Sequence, residues 1–312
     1  MGATTELPKN ALPIESRSTA APAGFFGRPF ADLNVGDDLR ESLCILQEVR
    51  SSIPDLSSWI NVPLVNKTGA VDDLSLAADG EPGRLTEYGQ RLPRVMGAVS
   101  WLTAEGFVVQ NARLAILLER DVLRPHVDMH SSIRLLVPLN EQKDDFRHVF
   151  GEECVAMRPG ELWGIEPTIC HGAANVARAG QRVMLLIDAA EKGPTPAWYR
   201  DAWVIPDSAR VQRARWSDEA RHEFLGKLSP QVGRLPICDV EREWLLAPFE
   251  YELPPERMYE ELIAFCKSSA ATLSSEKEAH EWQVRAEYWV RHKCVCVAEA
   301  DTGDQAAYSH DS

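Results

Sequence analysis

Arg124-Pro125-His126-Val127-Asp128, then His171-Gly172-Ala173-Ala174-Asn175, then Arg182 at the head of an apolar run: this stretch decides how the chain reads. His126 and Asp128 lie two apart, and on an extended strand residues i and i+2 project to the same side. An imidazole nitrogen and a carboxylate oxygen can then reach one cation. His171, in a Gly-rich turn before the strand Val183 to Ile187, supplies a second imidazole. Two imidazoles and one carboxylate on one face of a metal leave the opposite positions open, the ligand set of non-haem iron(II) oxygenases.

Histidine-x-acid pairs also arise by chance, so the surroundings carry the weight. The pair follows an apolar strand, and an arginine stands 11 residues past His171. His130 competes as second ligand, but i, i+4 spacing serves a helix and this segment does not read as one. His148 sits between Asp144 and Phe150 in a charged loop and reads as solvated. His222, His280, His292 and His310 fall on helical or tail segments and read as surface groups.

The guanidinium of Arg182 is a planar fork that can hold a carboxylate with two parallel hydrogen bonds and stays charged when desolvated. It is the docking candidate for an anionic co-substrate; the plainer reading is a surface arginine paired with an acid. Arg134, eight residues past His126, is the second inward-facing candidate.

Outward from these residues, Phe107 to Val109, Arg113 to Leu118, Ile133 to Leu139, Cys154 to Met157 and Val183 to Ile187 are short apolar or alternating runs. Gly and Pro punctuate them. Strands with turn signals between them indicate an all-β sandwich or barrel in this region, not βαβ units. On the N-terminal side, residues 1–30 are rich in Ala, Pro, Thr and Ser without a period and read as a mobile arm. Leu39, Leu43, Leu46 and Val49 mark a helix over 36–52 with Asp37 and Asp38 in its first turn, ended by Pro54. Trp59 to Val65 reads as a strand, Asp72 to Pro93 as a long loop, and Val95 to Ala104 as a helix ending near Gly106.

After a linker at Glu191 to Pro196 the chain reads as mainly helical. Ser217 is an N-cap, Pro254-Pro255 opens a helix with Met258, Leu262 and Cys266 on one stripe, and 275–293 carries Trp282, Ala286 and Trp289 on one face. Trp198, Trp203, Trp216, Trp244, Trp282 and Trp289 need a surface to pack on. The expected organisation is an α+β chain: a mobile arm at 1–30, an oxygenase domain at 31–190, a mainly helical domain at 191–300 and a flexible tail at 301–312.

The 312 residues are ample for a core, and 45% hydrophobic with 26% charged residues is ordinary for a globular protein. A net charge of −14 argues against nucleic-acid or anionic-membrane partners. No apolar run suits a membrane span and no secretion signal is visible. Seven scattered cysteines, Cys294 and Cys296 the nearest pair, read as reduced thiols of a cytoplasmic protein. Oligomeric state is open.

The block from His171 through Asn175 and Arg182 to Asp188 resembles the end of the catalytic barrel in the aspartyl/asparaginyl β-hydroxylase superfamily, nearest its bacterial proline hydroxylase branch. Arg124 to Asp128 and Ile133 to Leu139 resemble the first half of the same barrel. The resemblance spans about 95–190. It implies a double-stranded β-helix (a jelly roll of the cupin kind) that uses iron(II), 2-oxoglutarate and O2, with ascorbate stimulating. It implies His126, Asp128 and His171 as catalytic iron ligands, and Arg182 holding the far carboxylate of 2-oxoglutarate with Arg134 as a second candidate. Members that hydroxylate protein aspartate have glycine where this chain has Asp128, so the implied reaction is hydroxylation of a free L-amino acid of the proline, pipecolate or lysine type, in bacterial secondary metabolism. Arg94, Arg113 and Arg124 are candidates for the substrate carboxylate, while Trp163 and Asn175 flank the metal segment. Two rival readings stay open: hydroxylation of a peptide or carrier-bound amino acid, and a cupin-like metal-binding sensor or isomerase without oxygenase activity.

Overall fold

Alternating apolar runs in the middle of the chain pair into two antiparallel sheets. The computed structural model describes residues 23–32, 35–52, 59–78, 80–128, 133–140, 145–194 and 196–293. The strands are β1 (Ala23–Phe25), β2 (Trp59–Asn66), β3 (Arg84–Leu85), β4 (Phe107–Leu117), β5 (Asp121–His126), β6 (Ile133–Pro138), β7 (Phe146–Phe150), β8 (Glu153–Ala156), β9 (Trp163–Ile165), β10 (His171–Asn175) and β11 (Arg182–Glu191). The larger sheet runs β1-β9-β6-β11-β4-β2-β3 and the smaller runs β5-β10-β7-β8. The helices are α1 (Gly36–Ser52), α2 (Glu87–Arg91), α3 (Pro93–Ala104), α4 (Ala197–Arg200), α5 (Asp218–Leu228), α6 (Ile237–Glu250), α7 (Pro255–Thr272) and α8 (Glu276–His292). The α+β mixture is as expected.

Side-chain alternation sorts each strand between two cores. Ala115, Leu136, Trp163, Met184 and Leu186 of the larger sheet meet Phe150 and Val155 of the smaller one, so the inner faces of the two sheets share a core. The opposite face of the larger sheet, with Leu114, Leu135, Val137, Val183, Leu185 and Ile187, packs under α1 and α3. On the smaller sheet, Val122, Val149 and Ala174 point outward and join Trp244, Tyr259, Trp282 and Trp289 of the helices. At roughly 1.5–3 kcal/mol per large apolar side chain withdrawn from water, these faces outweigh the surface ion pairs. The C-terminal helices therefore share a core with the smaller sheet.

Several expectations need correcting. Ala23–Phe25, placed in the arm by composition, pairs with β9 as an edge strand. The loop expected from Asp72 to Pro93 contains β3 and α2, whose N-cap Thr86 accepts a hydrogen bond from the Gly89 amide. The two runs flanking Gln110 and Asn111 form one strand, β4. These polar residues do not break it, because their amide groups donate to carbonyls of Leu74, Ala77 and Ala78 and pin that loop. Ser217 caps α5 as expected. Helix α6, which no sequence signal marked, fills the space between α7 and β5. The aromatic residues do not share one surface: Trp198 and Trp203 pack on the α1/α3 side, the other four on the smaller sheet. Residues 1–22, His130, Cys294, Cys296, His310 and the tail at 301–312 lie outside the described residues. No helix among the described residues is long and apolar enough to cross a membrane.

Candidate metal centre

Strand β5 delivers His126 and strand β10 delivers His171, and the register sets these two residues directly opposite each other. Their ring centroids are 4.4 Å apart. Asp128 follows just past the end of β5, anchored by its amide, which donates to the Pro167 carbonyl at 2.8 Å. Its carboxylate oxygens lie 3.5 Å from Nε2 of His126 and 3.4 Å from Nε2 of His171. One ligand atom from each of the three residues falls within 4.8 Å of the others, and all three are buried. The expected turn location of His171 is corrected: it opens a strand of its own.

The hydrogen bonds choose the tautomers. Nδ1 of His126 lies 2.8 Å from the Arg124 carbonyl, and Nδ1 of His171 lies 2.8 Å from the Ile169 carbonyl. A carbonyl only accepts, so each Nδ1 carries the proton and each Nε2 presents its lone pair toward Asp128. Outer hydrogen bonds of this type orient metal-bound histidines. The donor set therefore fits a divalent metal with open positions. Burial lowers the affinity of His171 for a proton, and repulsion from His126 adds to this. Burial alone would raise the Asp128 carboxyl, but the two imidazoles set against it and the charge of Arg134 outweigh this and hold the group well below the usual carboxylate range.

The two arginines differ. Arg134, on β6, donates to Asp128 and, through Nε at 2.8 Å, to Asp188 of β11. Its guanidinium is thus committed to two carboxylates, one of them the candidate ligand. Arg182 enters the interior from β11 and is buried; among the described residues no acid pairs with it, and its Nε has no acceptor. Its Nη2 donates to Nε2 of His148. Desolvation lowers the Arg182 pKa to about 9. His148 corrects the expectation of a solvated loop residue. It lies inside on β7, stacked on Phe150, and burial together with the charges of Arg182 and His171 keeps it neutral. Sequence reasoning missed it because the neighbouring acids masked a five-residue strand.

Other candidates fall into place. Arg113 points inward with one Nη 3.9 Å from Asp188. Arg94 pairs with Asp37 near the surface. Arg124 faces the helices, over the ring of Trp289 and 3.3 Å from the Tyr288 hydroxyl. Trp163 is core, its indole donating to Glu161, and Asn175 closes the turn to Gly180. His222 and His280 are exposed, and His292 stacks half-buried on Tyr288.

The family model described as aspartyl/asparaginyl beta-hydroxylase matches residues 42–192, just under half of the chain. The resemblance read from the motifs is borne out over that stretch, and the protein is an enzyme of the dioxygenase type. No curated protein matches the sequence. Solved structures that match include a 2OG-Fe(II) oxygenase family protein from Burkholderia pseudomallei, at 12% identity over 44% of this chain and 71% of that one, with a TM-score of 0.33. AviO1 from Streptomyces viridochromogenes Tue57 matches at 10% identity over 57% and 94%, TM-score 0.36. HygX from Streptomyces hygroscopicus, solved with nickel and 2-oxoglutarate bound, matches at 11% identity over 55% and 83%, TM-score 0.34. Likenesses this distant say nothing about a substrate.

Proposed function

We propose that the protein is an iron(II)/2-oxoglutarate-dependent dioxygenase that hydroxylates an unactivated C–H bond of a free L-amino acid, of the proline, pipecolate or lysine type, in bacterial secondary metabolism. The observation that carries this reading is the convergence of His126, Asp128 and His171 with both Nε2 lone pairs directed inward. These residues would hold iron(II) and leave positions open for co-substrate and O2. When bound, the metal with 2-oxoglutarate supplies the oxidising chemistry, with ascorbate stimulating. The two sheets around it are read as a double-stranded β-helix.

Arg182 is the proposed clamp for the far carboxylate of 2-oxoglutarate. A buried cation without a counter-charge is costly, and a ligand carboxylate offsets that cost. His148, neutral and already bonded to Arg182, stands beside it as a positioning group. Arg134 is spent on Asp128 and Asp188, and we assign it to orienting the Asp128 carboxylate instead of docking the co-substrate.

An amino acid also needs acceptors for its ammonium group. On the inner face of the larger sheet Asn111 and Asp188 are cross-strand partners, and Asn111 Oδ1 and Asp188 Oδ2 are buried without hydrogen-bond partners. The Asn111 amide nitrogen is taken by the Leu74 carbonyl, which fixes Oδ1 as the free acceptor. Arg113 beside them suits the substrate carboxylate. This pairing of acceptors with a cation favours a zwitterion.

Residues 31–190 are taken as the catalytic unit and 191–300 as the helical unit backing its smaller sheet. A cytoplasmic setting without nucleic-acid or membrane partners accords with the net charge. The test is succinate release from 2-oxoglutarate with iron(II) and ascorbate across a panel of free amino acids, with product masses. One amino acid should stimulate release and gain an oxygen atom. If only peptides or carrier-bound amino acids do so, the free-substrate reading fails; no succinate under any condition favours a metal-binding sensor or isomerase.

A further inference from the structure

His126 reaches the interior only because β5 carries a bulge. Between the pairs Leu123↔Ala173 and His126↔His171, the single residue Gly172 of β10 stands against both Arg124 and Pro125. Side chains alternate along a strand. Val122 packs with the helices and Arg124 lies against Trp289 and Tyr288 of α8. Unbroken alternation would send His126 to that same helical side. The extra residue reverses the parity, and His126 meets His171 inside. Bulges re-aim side chains in this way and leave part of the ladder unpaired.

The unpaired groups here are satisfied one by one. Pro125 has no N–H to place. The Arg124 carbonyl accepts the Nδ1 proton of His126. The Pro125 carbonyl, on the peptide leading into His126, accepts from the hydroxyl of Tyr259 at 2.6 Å. Gly172 lets the strands approach: a Cβ there would come within 2.9 Å of the Leu123 carbonyl oxygen. Tyr259 is fully buried on α7, its ring 5.7 Å from that of Trp289. Trp289 is held in turn by Glu241 of α6, which accepts its indole N–H at 2.6 Å and is gripped by Arg285.

We propose that Tyr259 is a positioning residue for the metal centre: its hydroxyl holds the Pro125 carbonyl, fixes the bulge and so sets the direction of His126. The helical region thereby controls a ligand it does not contain. The proposal rests on the metal-centre reading above, and the experiment separates the two. Cobalt(II) titration of the full chain, followed by absorbance or calorimetry, reads metal affinity without turnover. Tyr259→Phe, which removes one oxygen atom, should weaken cobalt binding about tenfold at unchanged stoichiometry, in the range seen when outer hydrogen bonds to metal ligands are lost. Trp216→Phe is the control. It removes the indole donor to Glu261 (3.1 Å) from the same helical core, and that hydrogen bond does not involve the Pro125 carbonyl. It should lower the melting temperature and leave cobalt affinity alone. Cobalt affinity in Tyr259→Phe equal to that of the unaltered protein, or an equal loss in Trp216→Phe, overturns the proposal while the metal centre stands. An unaltered protein that takes up no cobalt overturns the metal centre itself and this proposal with it.

Discussion

The two sheets contribute opposite chemistry to one interior. The smaller sheet, with short strands and a bulge, supplies three imidazoles: His126, His148 and His171. The larger sheet, built on the long strands β4 and β11, supplies the guanidiniums of Arg113, Arg134 and Arg182 with Asp188. Imidazoles tolerate burial by giving up a proton, which is also the state that binds metal. Guanidiniums cannot do so and need counter-charges. Among the described residues Arg134 has two carboxylates and Arg182 has none, so two arginines of similar burial differ in charge balance. The lesson is that an unbalanced charge, more than position alone, marks where a ligand belongs.

The largest expected effect tests the imidazole side. His126→Ala and Asp128→Ala should each abolish succinate release and metal uptake, measured by coupled assay and metal analysis; turnover in either variant breaks the ligand assignment. On the guanidinium side, Arg182→Ala should raise the apparent KM for 2-oxoglutarate by an amount worth about 2–5 kcal/mol, the cost of losing one partner of a buried charged contact. Initial-rate kinetics decide it, and an unchanged KM would move the clamp to another cation. Asp188→Asn should act on both sides, since it loosens Arg134 and so Asp128. A loss of metal affinity of roughly tenfold is expected by titration, together with a weaker response to amino acids.

A further contrast concerns pH. Burial depresses the proton affinity of His148 and His171 in the folded state below the ordinary value of 6.5. Below that pH the unfolded chain binds more protons than the folded one, so the stability contributed by these neutral rings is complete above about 6.5 and is lost as pH falls toward the folded values. Melting curves of the metal-free protein from pH 8 to 5 should show the midpoint falling on the acid side; a flat profile would mean that the rings charge as readily inside as outside. The smallest effect lies away from both sheets. Ser217→Ala removes the cap of α5 and should cost about 1 kcal/mol of stability with turnover unchanged, as read by denaturant melts and the succinate assay.

Much of this was legible along the chain. Helical periods at Leu39 to Val49 and at Met258, Leu262 and Cys266, and the cap at Ser217, are local signals, and they recur where expected. The candidate metal cluster was legible because His-x-Asp with a distant His is a chemically specific pattern, and the three residues do converge. The burial of His148 was not, since it follows from pairing with Ala173 on β10 while its sequence neighbours are charged. Nor was the fate of Arg134, which depends on Asp188, 54 residues away.

The sequence by itself determined which groups are present: neutral-capable imidazoles, a carboxylate two residues from one of them, and an arginine before an apolar strand. Only the tertiary structure decided which of them face one another. A single extra residue opposite Gly172 turns His126 inward, two carboxylates occupy Arg134, and among the described residues none reaches Arg182. Spacing along a strand specifies parity, but bulges and cross-sheet charge balance arise from contacts between distant segments, and those exist only once both sheets and the helices behind them have closed on the same interior.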